Sequence, residues 1–204
     1  MTVTRRLTID DIADARAYER ERASFRDHVI ELKRRRRVHL GGVVTLVFEH
    51  RDTIRFQVQE MARVEHIVTD EGIQAELDVY NPMIPEPGQL CATLFLELTS
   101  DEQVREWLPK LVGVERSILF ELPDGDTVRC DVEEQHAGQL TREHTTAAVH
   151  FLQFRFTPEQ VAAFGPGTRL AIDHPAHRES VELGPPTLAE LKSDLTGIPH
   201  RSER

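Results

Sequence analysis

The eight residues Asn81-Pro82-Met83-Ile84-Pro85-Glu86-Pro87-Gly88 constrain the fold of this chain more than any other stretch. Three prolines fix three φ angles and remove three backbone donors, so neither a helix nor an interior strand can run through the segment. It is a stiff connector, and the sequence changes texture across it.

Before it, apolar residues recur at helical spacing. Thr8 with Ile9, Asp10 and Asp11 reads as a helix start, with a capping oxygen and acids where the helix dipole favours them. Tyr18, Phe25, Val29 and Leu32 then follow along one stripe, with Arg22 in the gap. Lys33, Arg34, Arg35, Arg36 and Arg37 close this helix, where cations suit the dipole, and Gly41-Gly42 break it. Val43 to Phe48 is a short strand. A helix from about Thr53, capped by Asp52, competes with a strand reading because Ile54, Phe56 and Val58 alternate; the helix formers from Gln57 to Glu65 decide for helix. A short helix covers Ile73 to Val79.

After the connector the period shortens to two. Leu90 to Leu98 is an apolar strand, and Val104 to Leu111 is a short helix with the only tryptophan. Ile118, Phe120 and Leu122 alternate up to the turn Pro123-Asp124-Gly125-Asp126, and Val128, Cys130 and Val132 alternate on the return, which is a hairpin. Thr145 to Phe156 is a strand with His150, Leu152, Phe154 and Phe156 on one face. Thr157-Pro158 starts a helix ending at Gly165, and a strand near Arg169 to Ile172 and a helix near Leu188 to Leu195 complete the chain. The expected class is α+β: a helical N-terminal part (residues 1–88), then a largely antiparallel sheet with helices packed on one side (89–175), then a tail with one short helix (176–204). At 204 residues a single domain can bury its own core.

Hydrophobic residues at 39% and charged residues at 29% place the chain among globular proteins. No run approaches the roughly 20 apolar residues of a membrane span. The start MTVTRRLTIDD has no apolar core of a secretory signal, so a cytoplasmic, soluble protein is expected. Cys91 and Cys130 sit singly in apolar runs and read as buried, reduced thiols. The net charge of -10 divides unevenly: residues 1–40 hold 11 basic and 7 acidic side chains, and the remainder 14 and 28. An acidic body argues against wrapping nucleic acid, although the block Lys33, Arg34, Arg35, Arg36 and Arg37 could bind phosphates of RNA or an acidic partner.

Two further regions could carry chemistry. Glu49, Arg51, Asp52, Arg55, Gln59, Glu60 and Arg63 crowd polar groups onto more than one face of one helix, either as a solvated face laced with ion pairs or as a polar pocket against the sheet. Asp173, His174 and His177 place a carboxylate and two imidazoles within five residues, so a transition metal is the cofactor they could hold; the plainer reading is a surface loop. His50-Arg51-Asp52 spells a kinase triplet, but the chain lacks the rest of that machinery. Glu133 and His136 have the Glu-x-x-His spacing of di-iron bundles, which need two such motifs on helices. His150, on an apolar strand face, reads as a hydrogen-bonded core histidine.

The chain resembles a bacterial family known as domain of unknown function 3501. The resemblance rests on Leu7 to Asp11, Tyr18-Glu19, Arg34 to Val38, Phe48-Glu49, Arg51-Asp52-Thr53, Phe56-Gln57, Gln59-Glu60-Met61, Tyr80-Asn81-Pro82, Ile84-Pro85 and Asp173-His174-Pro175. It implies an accessory, partner-binding role in redox or peroxide handling, beside rubrerythrin-like and iron-sulfur oxidoreductase partners. The same resemblance gives His174 more weight than His177. The alternative is a metal-dependent enzyme acting on a small anionic substrate, with Glu49, Asp52, Glu60 and His174 converging and Arg51 or Arg55 holding the anion. The second alternative is RNA binding through Lys33 to Arg37.

Overall fold

A computed structural model describes residues 5–131 and 145–197 of the chain. The class is α+β, and the strands form two four-stranded antiparallel sheets rather than the single sheet expected. The first orders β1 (Arg37–Leu40), β2 (Val44–Phe48), β3 (Gln89–Leu96) and β6 (Val149–Arg155) as β1-β2-β3-β6. The second orders β4 (Ile118–Glu121), β5 (Thr127–Arg129), β7 (Arg169–His174) and β8 (His177–Glu182) as β5-β4-β7-β8.

Two strands depart from expectation. β1 takes the residues expected to end the first helix: Val38 and Leu40 point into the core, and Gly41, at φ 69°, turns the chain back so that Leu40 pairs with Val44. β8 lies in the expected tail. Its alternation is weak because most of its residues are exposed, yet it pairs with β7 along its whole length.

The sheets face each other across one core in which Phe120 of β4 lies 5.7 Å from Phe48 of β2 and 4.9 Å from Phe154 of β6. Two seams join them. At one, Asp131 and Gln153 exchange both backbone hydrogen bonds, at 2.7 and 3.2 Å. At the other, the His177 Nε2 bonds the Leu40 carbonyl at 2.9 Å, so tightly that a Cβ on Gly41 would stand 2.9 Å from the His177 ring.

Helices cover what the sheets leave open. α1 (Ala15–Arg35) begins at an Asp14 cap, not at Thr8. Thr8 and Asp11 instead box a short 3-10 turn at Ile9–Asp11, because Leu7 turns inward to join Ile54, Val58, Leu77 and Ile84 in a second, smaller core. α2 (Arg51–Val64) starts two residues before the expected Thr53, and its cap is His50, whose Nδ1 accepts from the Asp52 N–H at 3.1 Å. α3 (Asp70–Tyr80), α4 (Asp101–Lys110), α5 (Pro158–Ala163) and α6 (Pro185–Thr196) each extend the expected helices at one or both ends or match them closely. Leu191 and Leu195 of α6 enter the main core. The Glu133 and His136 motif and Val132 lie outside the described residues.

Candidate functional site

The polar signature of α2 is mostly a clasp. Arg51 donates to Asp11 at 2.6 Å and to the Arg5 carbonyl, and Arg55 donates to the Asp11 carbonyl and to Glu21. Gln59 holds Ala13 by both backbone groups, at 2.7 and 3.2 Å. Glu60 accepts from Tyr18 and, bidentately, from Arg22, while Arg63 donates to Glu19. Asp52 pairs with His28 at 3.0 Å. These side chains fasten α2 to α1 and to the segment before it, so six of the seven candidate residues are engaged there by their own chain.

Glu49 is the exception. It leaves the end of β2 with its side chain buried, and its carboxylate accepts from Thr53 at 2.5 Å and from Thr93 at 2.6 Å.

The cationic block is also engaged. Arg34 pairs with Glu31, Arg35 with Glu190, and Arg37 with Glu97. Arg36 is 1% exposed, donating to Asp194 at 2.6 Å, to Glu190 at 3.2 Å and to the Glu49 carbonyl. Burial pushes the Glu190 carboxyl up, but Arg35 and Arg36 outweigh it and hold the carboxyl below its usual range. The four arginines of the block thus take partners on different elements, because the chain passes from helix to strand at Arg36.

Asp173 and His174 do not converge, since neighbours on a strand face opposite sides. Asp173 takes the Arg129 guanidinium at 2.9 and 2.5 Å, and that pairing holds its carboxyl below the usual range. His174 turns inward, with Nε2 3.0 Å from the Val112 carbonyl and Nδ1 accepting from the Ala176 N–H. His177 is committed to the Leu40 seam. Among the described residues no group of three or more His, Cys, Asp and Glu side chains is placed to hold a metal ion. The residues expected to build a metal centre therefore do not fit one. His150 is the hydrogen-bonded core histidine expected, with Nε2 2.9 Å from both Thr146 Oγ1 and the Ala147 carbonyl.

A different site emerges on the outer face of β3, β5 and β6. There a cleft of about 1120 Å³ opens between the sheet and the segment that follows α3. Its sheet side carries Cys91, Gln153, Asp131, Arg129 and Arg155, with Arg116 from the turn before β4; Glu49 also lines it. Its helical side carries Asp78 and Glu86 among apolar groups such as Met83 and Ile84. The rigid connector is thus a cleft wall. Burial pushes the Cys91 thiol up to about 12 and the Cys130 thiol up to about 11, so both are protonated at neutral pH. The cleft arginines went unnoticed in the sequence, yet a signal was present. Thr127, Arg129 and Asp131 alternate with Val128 and Cys130, marking a polar outer face on a strand whose inner face is apolar.

The family described as "Protein of unknown function (DUF3501)" matches residues 6–195. A crystal structure of a novel protein of unknown function from Burkholderia pseudomallei is similar, with 36% identity and a TM-score of 0.83, covering 93% of this chain and 98% of that one. No curated protein matches.

Proposed function

The chain belongs to the DUF3501 family, whose description assigns no activity, and from that premise we propose that it is an accessory binding protein whose cleft beside β3, β5 and β6 receives a small anionic molecule. The observation that carries this reading is the cleft itself. It is as large as the upper range of small-molecule sites, which is roughly 300–1,000 Å³, and three arginines line its sheet side. Arginine forks match carboxylate and phosphate oxygens, and an anion entering here meets donors already held in place by the sheet.

We place this role in the cytoplasm, beside the redox or peroxide-handling partner that the family resemblance implies. Support for binding rather than thiol chemistry comes from the cysteines. Both are buried and protonated, and an active thiol needs its thiolate.

The test is calorimetric titration of the purified protein with a panel of dicarboxylates, phosphosugars and nucleotides. Binding by at least one class, weakened by Arg155→Ala, is the expected result. No heat from any class overturns the reading. A stoichiometric metal that is lost in His174→Ala would restore the metal-dependent enzyme in its place.

A further inference from the structure

We propose that Arg116, Arg129 and Arg155 form one phosphate subsite in this cleft, that Asp173 is the counterion the phosphate displaces, and that the ligand is a phosphate ester with an apolar or ring-bearing body. The inference rests on reading the cleft as a ligand site.

All three side chains line the cleft. The Asp131 and Gln153 pairing joins β5 to β6, and Arg129 and Arg155 lie two residues along from it, facing the same side. Arg129 Nη1 also donates to the Arg116 carbonyl at 3.2 Å, which brings the turn before β4 against the same group. Like charges on adjacent strands repel unless something neutralises them.

Two of the three have internal neutralisers. Arg129 is spanned by Asp173, and Arg155 lies 3.5 Å from Asp131 while its other terminal nitrogen donates to Gln153 at 2.6 Å. Arg116 is exposed and makes no ion pair among the described residues. The Arg129 and Asp173 pair is about half exposed, at 48% and 50%, and the Arg155 and Asp131 pair more so, at 63% and 59%. Ion pairs at that exposure are weak and are readily exchanged for a ligand anion.

A phosphate fits this arrangement better than a carboxylate. Asp173, beside the cleft rather than in its lining, shows what a carboxylate does to Arg129: its two oxygens satisfy that one guanidinium, and among the described residues Arg116 has no ion-pair partner. A phosphate monoester has three terminal oxygens and nearly two charges, enough to engage several forks at once. Four arginines line the cleft, and three of them, Arg116, Arg129 and Arg155, stand on the sheet side across from Asp78 and Glu86, so the phosphate settles there; Arg6 also lines the cleft. Met83, Ile84 and Phe151 then offer apolar surface to the rest of the molecule.

The experiment titrates pyrophosphate, adenosine diphosphate and succinate into the wild type and into Arg116→Ala, Arg155→Ala and Asp173→Asn. Circular dichroism and thermal melting first establish that each variant is folded. Adenosine diphosphate should bind more tightly than pyrophosphate, and succinate at least about tenfold more weakly than either. Arg116→Ala and Arg155→Ala should each weaken adenosine diphosphate by about tenfold, whereas Asp173→Asn should tighten it severalfold. Arginine variants within twofold of wild type, or an Asp173→Asn variant that binds more weakly, overturn the subsite. Equal affinity for pyrophosphate and adenosine diphosphate overturns the ester body. Binding of succinate or another dicarboxylate alone overturns the inference but leaves the cleft as a ligand site, while no binding by any anion overturns both.

Discussion

Arg36 Nη1 donates to Asp194 Oδ2 at 2.6 Å, joining residues 158 apart in the sequence. Both are almost wholly buried, and the contact ties the junction of α1 and β1 to the last helix. Removing Asp194 takes the shortest contact from a guanidinium that is 1% exposed and leaves it only the longer ones, to Glu190 and the Glu49 carbonyl at 3.2 Å. Asp194→Ala is expected to destabilise the protein by about 3–5 kcal/mol. A double replacement, Arg36→Met with Asp194→Leu, should recover much of that loss, because both members of the buried pair are gone and Glu190 keeps Arg35 as its partner. Urea unfolding midpoints of the single and double variants check both statements.

Gln59 closes on Ala13 like a peptide partner, accepting from its N–H and donating to its carbonyl. Gln59→Ala leaves both backbone groups unpaired, and the expected cost is about 1–3 kcal/mol. The local signature is loss of hydrogen-exchange protection at Ala13, while amides in β2 and β3 stay protected. Faster exchange throughout the sheet would show that the clasp is not a local unit.

The Glu60 carboxyl is held down to about 2, first by its hydrogen bond from Arg22, with burial opposing and Tyr18 assisting. Its folded value lies below its ordinary value of 4.5, so its stabilisation is complete above that pH and is lost as pH falls toward 2. Wild type and Glu60→Gln should therefore differ in stability at neutral pH and converge across this acid window. Parallel melting curves at every pH would contradict the assignment. Tyr18 gives a second readout: burial and then Glu60 push its hydroxyl above the ordinary value of 10.0, and Glu60→Gln should lower it in a spectrophotometric titration.

Cys91 and Cys130 should both resist a thiol reagent such as dithionitrobenzoate in the native protein at pH 8. Their thiols titrate only near 12 and 11, and both are buried. Unfolding in denaturant should release two reactive thiols per chain. Rapid native labelling at Cys91 would show that the cleft floor opens to the size of the reagent.

Much of the architecture was legible in the residues themselves. Tyr18, Val29 and Leu32 mark one face of α1, and Phe120 and Val128 flank a Pro-Asp-Gly-Asp turn that returns as β5. These elements follow local rules of period, capping and turn chemistry, which act within a few residues. β1 and β8 escaped because their signals are short. Arg37 to Leu40 continues a run of arginines, and β8 exposes most of its side chains, so only pairing with β2 and β7 defines them.

The candidate sites divide in the same way. That α2 is densely polar could be read from Glu49 to Arg63, but whether those groups face a ligand or their own chain depends on what packs against the helix. The tertiary structure gives Arg51, Arg55, Gln59, Glu60 and Arg63 to residues of α1 and the segment before it, and leaves Glu49 to the cleft. It likewise separates Asp173 from His174 through the pleat of β7 and gathers Arg116, Arg129 and Arg155 from three elements. Periodicity and turns are properties of neighbours in sequence, so the chain alone determined its helices, most of its strands and the stiffness of its proline connector. Which charged groups meet is a property of strand order and seam closure, set by burial of a shared core, and only the folded molecule decided it.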